Sequence, residues 1–206
     1  MSNAGTTYII SAPSGAGKTS LVHELLNRVR SIELSVSLTT RRARPGETDG
    51  VHYNFVDRIA FERAIEQDEM LEHAEVFGNL YGTSKRFVQD RLDAGADVLL
   101  EIDWQGAQLA RARLQHTVSV MILPPSLMAL ETRLRGRGQD ADDVIARRLA
   151  EAQTELNHMV EFDYWVINDD FTLATDQLCN IISTERLRPR RQRQRHPHLV
   201  AGLLNP

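Results

Sequence analysis

The chain is 206 residues long, with 42% apolar and 25% charged residues, a composition that excludes disordered, collagenous and membrane-embedded chains. That length accommodates one compact core, or one core carrying a grafted subdomain. The net charge of −4 hides an uneven distribution, because Arg186, Arg188, Arg190, Arg191, Arg193 and Arg195 crowd one stretch near the C-terminus.

The N-terminal residues lack the basic and long apolar regions of a secretory leader, and the apolar runs fall far short of the roughly 20 residues of a membrane span. A cytoplasmic location without a membrane partner is therefore expected. The single cysteine, Cys179, cannot form an intrachain disulfide, which fits a reducing compartment.

In chain order, Tyr8-Ile-Ile10 reads as a strand, and Leu21, Val22, Leu25, Leu26 and Val29 then recur at helical spacing. Residues 35–95 break that rhythm. Within them, residues 51–56 alternate like a half-exposed strand in an Arg- and Gly-rich setting, so the stretch reads as an inserted subdomain. Beyond it, apolar runs at 98–102, 118–123 and 165–167 alternate with helical stretches at 107–114, 127–134, 144–160 and 173–187. Strands alternating with helices imply a parallel sheet in an α/β core. No aromatic residue interleaves the terminal arginines to stack bases. A solvated end to the last helix that docks on an acidic face is expected over a nucleic-acid tail.

Ser11-Ala-Pro-Ser-Gly-Ala-Gly-Lys-Thr19 lies between the first strand and the first helix, which is the context a phosphate-binding loop needs. Its candidate residues are Ser11, Ala12, Pro13, Ser14, Gly15, Ala16, Gly17, Lys18 and Thr19. Glycines let the backbone turn its N–H groups toward an anion at a helix N-terminus. Lys18 would bridge the β- and γ-phosphates, and the Thr19 hydroxyl would ligate Mg²⁺. The pattern's first glycine is Ala12 here, which keeps the turn only if its φ stays negative. Nucleoside triphosphate binding follows, without choosing among kinase, GTPase and ATPase.

Arg41, Arg42 and Arg44 precede a Pro-Gly turn, so they are held on a loop, where guanidiniums suit a dianionic phosphate. Tyr53 follows, then Leu71-Glu-His-Ala-Glu-Val-Phe-Gly-Asn-Leu-Tyr-Gly-Thr-Ser84. Together with Ser35-Val-Ser-Leu-Thr-Thr-Arg41, Ile102-Asp-Trp-Gln-Gly106, Leu134-Arg-Gly-Arg-Gly138 and Ile167-Asn-Asp-Asp170, these segments closely resemble guanylate kinases of the bacterial type. The resemblance runs over nearly the whole chain.

The resemblance implies a P-loop NTPase-type parallel sheet core over residues 1–34 and 96–206, with a helical lid at about 133–148. It also implies a small mixed α+β GMP-binding subdomain over 35–95, ahead of a basic tail at 188–206. Ser37, Glu72 and Thr83 match the family's guanine-reading residues, and Arg41, Arg44, Tyr53 and Tyr81 those that hold the GMP phosphate. Arg133, Arg137 and Arg148 match arginines of the lid and its return helix, while Asn168 and Asp169 fall on the adenine side. Glu101 stands where most members carry Asp, and with Asp103 it lies where an Mg²⁺ or acceptor contact is expected.

The chemistry agrees independently of the resemblance. Guanine shows two donors beside an acceptor, so Glu72 can take N1–H and N2–H while a hydroxyl gives to O6. Adenine leaves such a carboxylate unpaired. The acceptor phosphate is largely ionised at neutral pH, with a second pKa of about 6, so no general base is needed. Cations (Lys18, Mg²⁺ with ATP, Arg41 and Arg44) would carry catalysis by quieting the repulsion between two anions, and the resemblance implies that Arg137 and Arg148 join them. The seven histidines show no metal-ligand spacing. Two rivals remain: a related ribose 1,5-bisphosphate phosphokinase, and a non-enzymatic guanylate-kinase-like interaction module. ATP and GMP are the expected partners, nucleic acid is disfavoured, and a homo-oligomer is left open.

Overall fold

Five strands form the central sheet of the computed structural model, which describes residues 5–76, 78–136 and 141–204. They are β1 (Thr7–Ser11), β2 (Ile32–Leu34), β7 (Asp97–Glu101), β8 (Thr117–Leu123) and β9 (Tyr164–Ile167), in the spatial order β2-β7-β1-β8-β9. Every pairing is parallel. A parallel sheet needs cover on both faces, and β1 supplies apolar groups to both. Tyr8 and Ile10 join a cluster with Leu21, Val22 and Leu25 of α1 (Lys18–Arg28) and Ala174, Leu178 and Ile182 of α7 (Phe171–Arg186). Ile9 faces the other way, toward Ala107 and Ala110 of α4 (Trp104–Arg113) and Val88 and Leu92 of α3 (Lys85–Asp93).

A second sheet, ordered β4-β3-β6-β5, is built from β3 (Leu38–Thr39), β4 (Asn54–Phe55), β5 (Met70–Val76) and β6 (Asn79–Ser84). It is mixed, since β3 runs parallel to β4 and antiparallel to β6. Phe61 of α2 (Arg58–Glu66) packs with Met70 and Leu80 to give it a small core of its own. Leu71 of β5 points instead into the α3/α4 side of the main core, which fastens the second sheet to the first. The strand expected over 51–56 is shorter than its alternation suggested. Residues 51–52 form a turn held by Val51 and His52 N–H groups on the Thr48 carbonyl, Tyr53 makes an isolated bridge with Asp49, and only Asn54 and Phe55 pair in a strand.

The helices α5 (Leu127–Gly136) and α6 (Asp142–Asn157) share a cluster of Leu130, Leu134, Ile145 and Ala152. After α7 come α8 (Pro189–Arg195) and α9 (Pro197–Leu204). The arginine-rich segment docks on acids: Arg186 and Arg191 both reach Asp97, at 2.8 and 2.7 Å, and Arg188 pairs with Glu185. Asp97 is only 1% exposed and also accepts the Thr6 N–H, so the chain's end is pinned to the start of β7. Cys179 is a half-buried thiol beside the α1/α7 cluster. Among the described residues no helix is long and apolar enough to cross a membrane.

Candidate active site

The carboxyl ends of β1, β7 and β9 open on the same edge of the sheet, which is where an open α/β sheet collects its ligand-binding loops. Ser11 closes β1, and the phosphate loop turns through Gly15 and Gly17, both with φ of 93°, into α1. That left-handed conformation favours glycine. At Gly17 the space is closed as well, since a Cβ would sit 2.4 Å from Asn168 Nδ2. Ala12 is absent from the positive-φ residues, so its departure from the glycine pattern leaves the turn intact. Pro13 and Ala16 are buried, and the Ala16 N–H closes the loop on the Pro13 carbonyl at 3.0 Å. Gly17 caps α1 without a side-chain acceptor, a helix start suited to an external anion.

Two residues expected on the adenine side occupy different settings. Asn168 is buried and braces the phosphate loop: its Nδ2 donates to the Ala16 carbonyl at 2.7 Å, and its own carbonyl accepts Arg133 Nη2 at 2.8 Å. Asp169 is exposed, and the neighbouring Asp170 caps α7 through the Leu173 N–H. Arg133 leaves Nη1 buried without a hydrogen-bond partner. Arg148 lies half-buried on α6, and Arg137 lies outside the described residues.

Beside the loop lies a cavity of about 300 Å³ lined by Lys18, Ser37, Arg44, Tyr53, Glu72, Tyr81, Glu101 and Asp103, among others. Eight residues singled out from scattered parts of the sequence thus meet around one space. Lys18 Nζ rests 3.4 Å from the Ile102 carbonyl. Thr19 Oγ1 donates to Glu101 Oε1 at 2.7 Å, which commits its proton and leaves its lone pairs free for a cation. The longer Glu101 therefore reaches a hydroxyl on the loop itself. Asp103 turns Oδ1 to the Gly106 N–H as the cap of α4.

At the other wall, Glu72 is 5% exposed and accepts the Thr83 hydroxyl at 2.6 Å across the β5–β6 pair. Burial pushes its carboxyl up to about 7, with Thr83 opposing the shift and Asp103 adding to it. Desolvation on this scale leaves the acid short of donors, which is the condition of a group built to meet a ligand that brings them. Gly106 sits directly beneath, where a Cβ would come within 2.9 Å of Glu72 Oε2.

Arg41 does not line the cavity. Its guanidinium is clamped by both oxygens of Glu47, at 3.0 and 2.8 Å, and lies over the Tyr53 and Phe55 rings. The same pairing holds Glu47 down at about 2, helped by the Arg44 N–H. Tyr53 and Tyr81 meet edge to face, 5.9 Å between centroids, and burial raises the Tyr53 phenol.

Three participants escaped the sequence reading: Glu47, Gly106 and Glu155. Glu47 sits in the arginine loop and could have been read as its internal counter-ion. Gly106 was quoted only as the end of a motif. Glu155 of α6 carried no local signal, yet its Oε2 is buried without a hydrogen-bond partner, and burial raises its carboxyl to about 7 against the opposing charge of Lys18.

A sequence model of the family described as guanylate kinase matches residues 4–185. The guanylate kinase of Escherichia coli strain K12 is 53% identical over 202 residues, covering 97% of this chain and 98% of that protein. That of Salmonella typhi is 52% identical with the same coverage. Among solved structures, the guanylate kinase from Anaplasma phagocytophilum superposes with a TM-score of 0.76 at 36% identity, over 92% of this chain and 90% of that one.

Proposed function

The chain belongs to the guanylate kinase family of phosphotransferases, and from that premise we propose that its cleft transfers the γ-phosphoryl group of ATP to GMP, giving ADP and GDP. The observation that carries the reading is the shared lining of one cavity by the Glu72 wall and by Lys18 of the phosphate loop. In this reading residues 35–95 supply the acceptor site, and residues 1–34 and 96–206 the donor site and lid.

Guanine binds with N1–H and N2–H on Glu72, while the Thr83 and Ser37 hydroxyls complete the polar edge. A neutral carboxyl gains by ionising against two donors, so recognition is strongest for a base that brings both. The GMP phosphate lies toward Arg44, Tyr53 and Tyr81. Arg41 reaches it once the phosphate competes with Glu47 for the guanidinium. No base is required, because the attacking phosphate is already ionised near neutral pH, its second pKa being about 6. The chain's work is to bring two anions together and to hold countercharge between them through Lys18, the loop N–H groups and the arginines Arg44, Arg133, Arg137 and Arg148.

The oxygen donors near the loop suit Mg²⁺ carried in with ATP. Thr19 and Asp103 would hold it, and Glu101 orients the Thr19 hydroxyl. Among the described residues no cluster of three His, Cys, Asp or Glu forms a closed metal cage, and Mg²⁺ on substrate phosphates needs only one or two protein ligands. When bound it neutralises charge on the transferred group. Neither rival reading gains support from the comparisons, and Lys18, Thr19, Arg41, Arg44 and Glu72 are all present. We place the protein in the cytoplasm, in purine nucleotide metabolism.

The test is an ADP-release assay with GMP, AMP, CMP and UMP as separate acceptors, repeated on Glu72→Ala. Strong preference for GMP that disappears in the variant is expected. Equal turnover of several monophosphates by the wild-type protein would refute the assignment.

A further inference from the structure

The arginine-rich end of the chain carries more cations than the fold supplies acids for. Asp97 takes Arg186 and Arg191 together with the Thr6 N–H. Glu185 takes Arg188 on both oxygens, at 2.5 and 2.8 Å, together with the Tyr164 hydroxyl at 2.7 Å. Both acids are thereby committed. Arg190 and Arg193 are left over, since among the described residues neither side chain makes a hydrogen bond or an ion pair. Arg190 is nevertheless half-buried, and burial, with the Arg191 charge adding to it and Glu185 opposing, weakens its hold on its proton. Desolvating a guanidinium without a counter-ion is costly, and an anion from outside would offset that cost.

The two spare arginines meet at one place. With Arg113 and His116 they line a cavity of about 630 Å³, and no acid stands in its lining among the described residues. Arg113 is partly committed, because its Nη1 donates to the Met70 carbonyl and lies 3.4 Å from Asp68, an acid that also pairs with Lys85. The cavity is remote from the transfer cleft. Gly5 precedes β1 and His116 precedes β8, so it opens at the amino ends of a parallel sheet whose carboxyl ends hold the phosphate loop. Its volume falls in the range of small-molecule sites. Guanidiniums fork onto phosphate oxygens, and three of them present more positive charge than a single phosphate dianion neutralises. No aromatic residue lines the cavity to stack a base, which argues against single-stranded nucleic acid. We propose that this cavity is a second anion site, separate from the transfer cleft, which takes a ligand carrying adjacent phosphates, held by Arg190 and Arg193 with Arg113 and His116 at its wall.

Equilibrium dialysis with radiolabelled inorganic diphosphate, in the presence of saturating ADP and GMP to fill the cleft, tests this on the wild-type protein and on the double variant Arg190→Gln, Arg193→Gln. The wild type should bind one diphosphate per chain. The variant should bind it at least about tenfold more weakly, because charge-assisted hydrogen bonds are lost, while unchanged turnover shows that it folds. No diphosphate on the wild type, or equal affinity in the variant, overturns the proposal. Sulfate that competes as well as diphosphate overturns the ligand class, and so does an oligonucleotide that binds more tightly through the same two arginines. A parallel arm with GDP tells a nucleotide source from a free one, according to whether the arginine-dependent binding is tighter or weaker than that of diphosphate. Should the variant not fold, the His116 imidazole resonances of the wild type decide: they must shift when diphosphate is added to the filled protein, and constant resonances overturn the proposal.

Discussion

Binding of GMP should release a proton from Glu72, and its pH dependence can be worked from the site. Burial holds this carboxyl at about 7 in the free protein, so at neutral pH about half the molecules carry the proton. Guanine's two donors require the ionised form. A ligand that binds only that form loses affinity by the fraction protonated, which from about pH 8 to about pH 6 is roughly tenfold, or about 1.4 kcal/mol. The GMP phosphate, with its own pKa of about 6, adds about a further factor of two over the same range. The perturbation is Glu72→Gln, which keeps an acceptor and removes the titration. Calorimetry in two buffers of different ionisation heat would show about half a proton released per GMP at pH 7 in the wild type and almost none in the variant. The pH slope should shrink to the phosphate's share. Equal slopes in the two proteins would refute the reasoning, because the titrating group would then lie elsewhere.

Other consequences are as specific. Asp97→Asn leaves the Arg186 and Arg191 guanidiniums facing a neutral amide and should cost about 3–5 kcal/mol of stability by urea denaturation, with turnover preserved in the cold. A lost GMP site without lost stability would contradict that. Gly106→Ala is a favourable helix substitution by about 0.5–1 kcal/mol, yet its Cβ displaces Glu72 Oε2. The KM for GMP should rise at least about threefold while thermal stability holds, and an unchanged KM would show that Glu72 does not read the base. Ligand-free stability should fall as pH rises from about 5 to about 7.5, because Glu72 and Glu155 both have raised carboxyls. Such groups stabilise below their unfolded value of about 4.3 and lose that contribution as pH climbs through about 7. The acids held low, such as Glu47, act in the opposite sense but at lower pH. Urea midpoints that rise across this window would contradict the assignment.

Much of the architecture could be read from local order. The phosphate loop announced itself because strand, glycine turn and helix are contiguous, and Gly15 and Gly17 have the backbone angles that such a turn demands. The parallel sheet followed from the alternation of apolar runs with helical periods. The motif around Glu72 and Thr83 marked them as members of one site, although their hydrogen bond depends on a β-pairing between residues 11 apart. Features set by distant partners were not legible. Nothing near Arg186 or Arg191 points to Asp97, which lies 89 and 94 residues away and becomes their partner only when β7 is in the sheet. Glu155 is one acid among several on an amphipathic helix, and only the burial of its carboxyl in the fold distinguishes it. The alternation at 51–56 was misleading because turn hydrogen bonds to Thr48 claimed its first residues.

The most direct measurement is a crystal structure of the protein with GMP. The base should lie in the 300 Å³ cavity with its N1 and N2 at hydrogen-bonding distance from the Glu72 carboxylate, and its phosphate should touch Arg44, Tyr53 and Tyr81. GMP bound away from Glu72, with that acid still paired only to Thr83, would contradict the account.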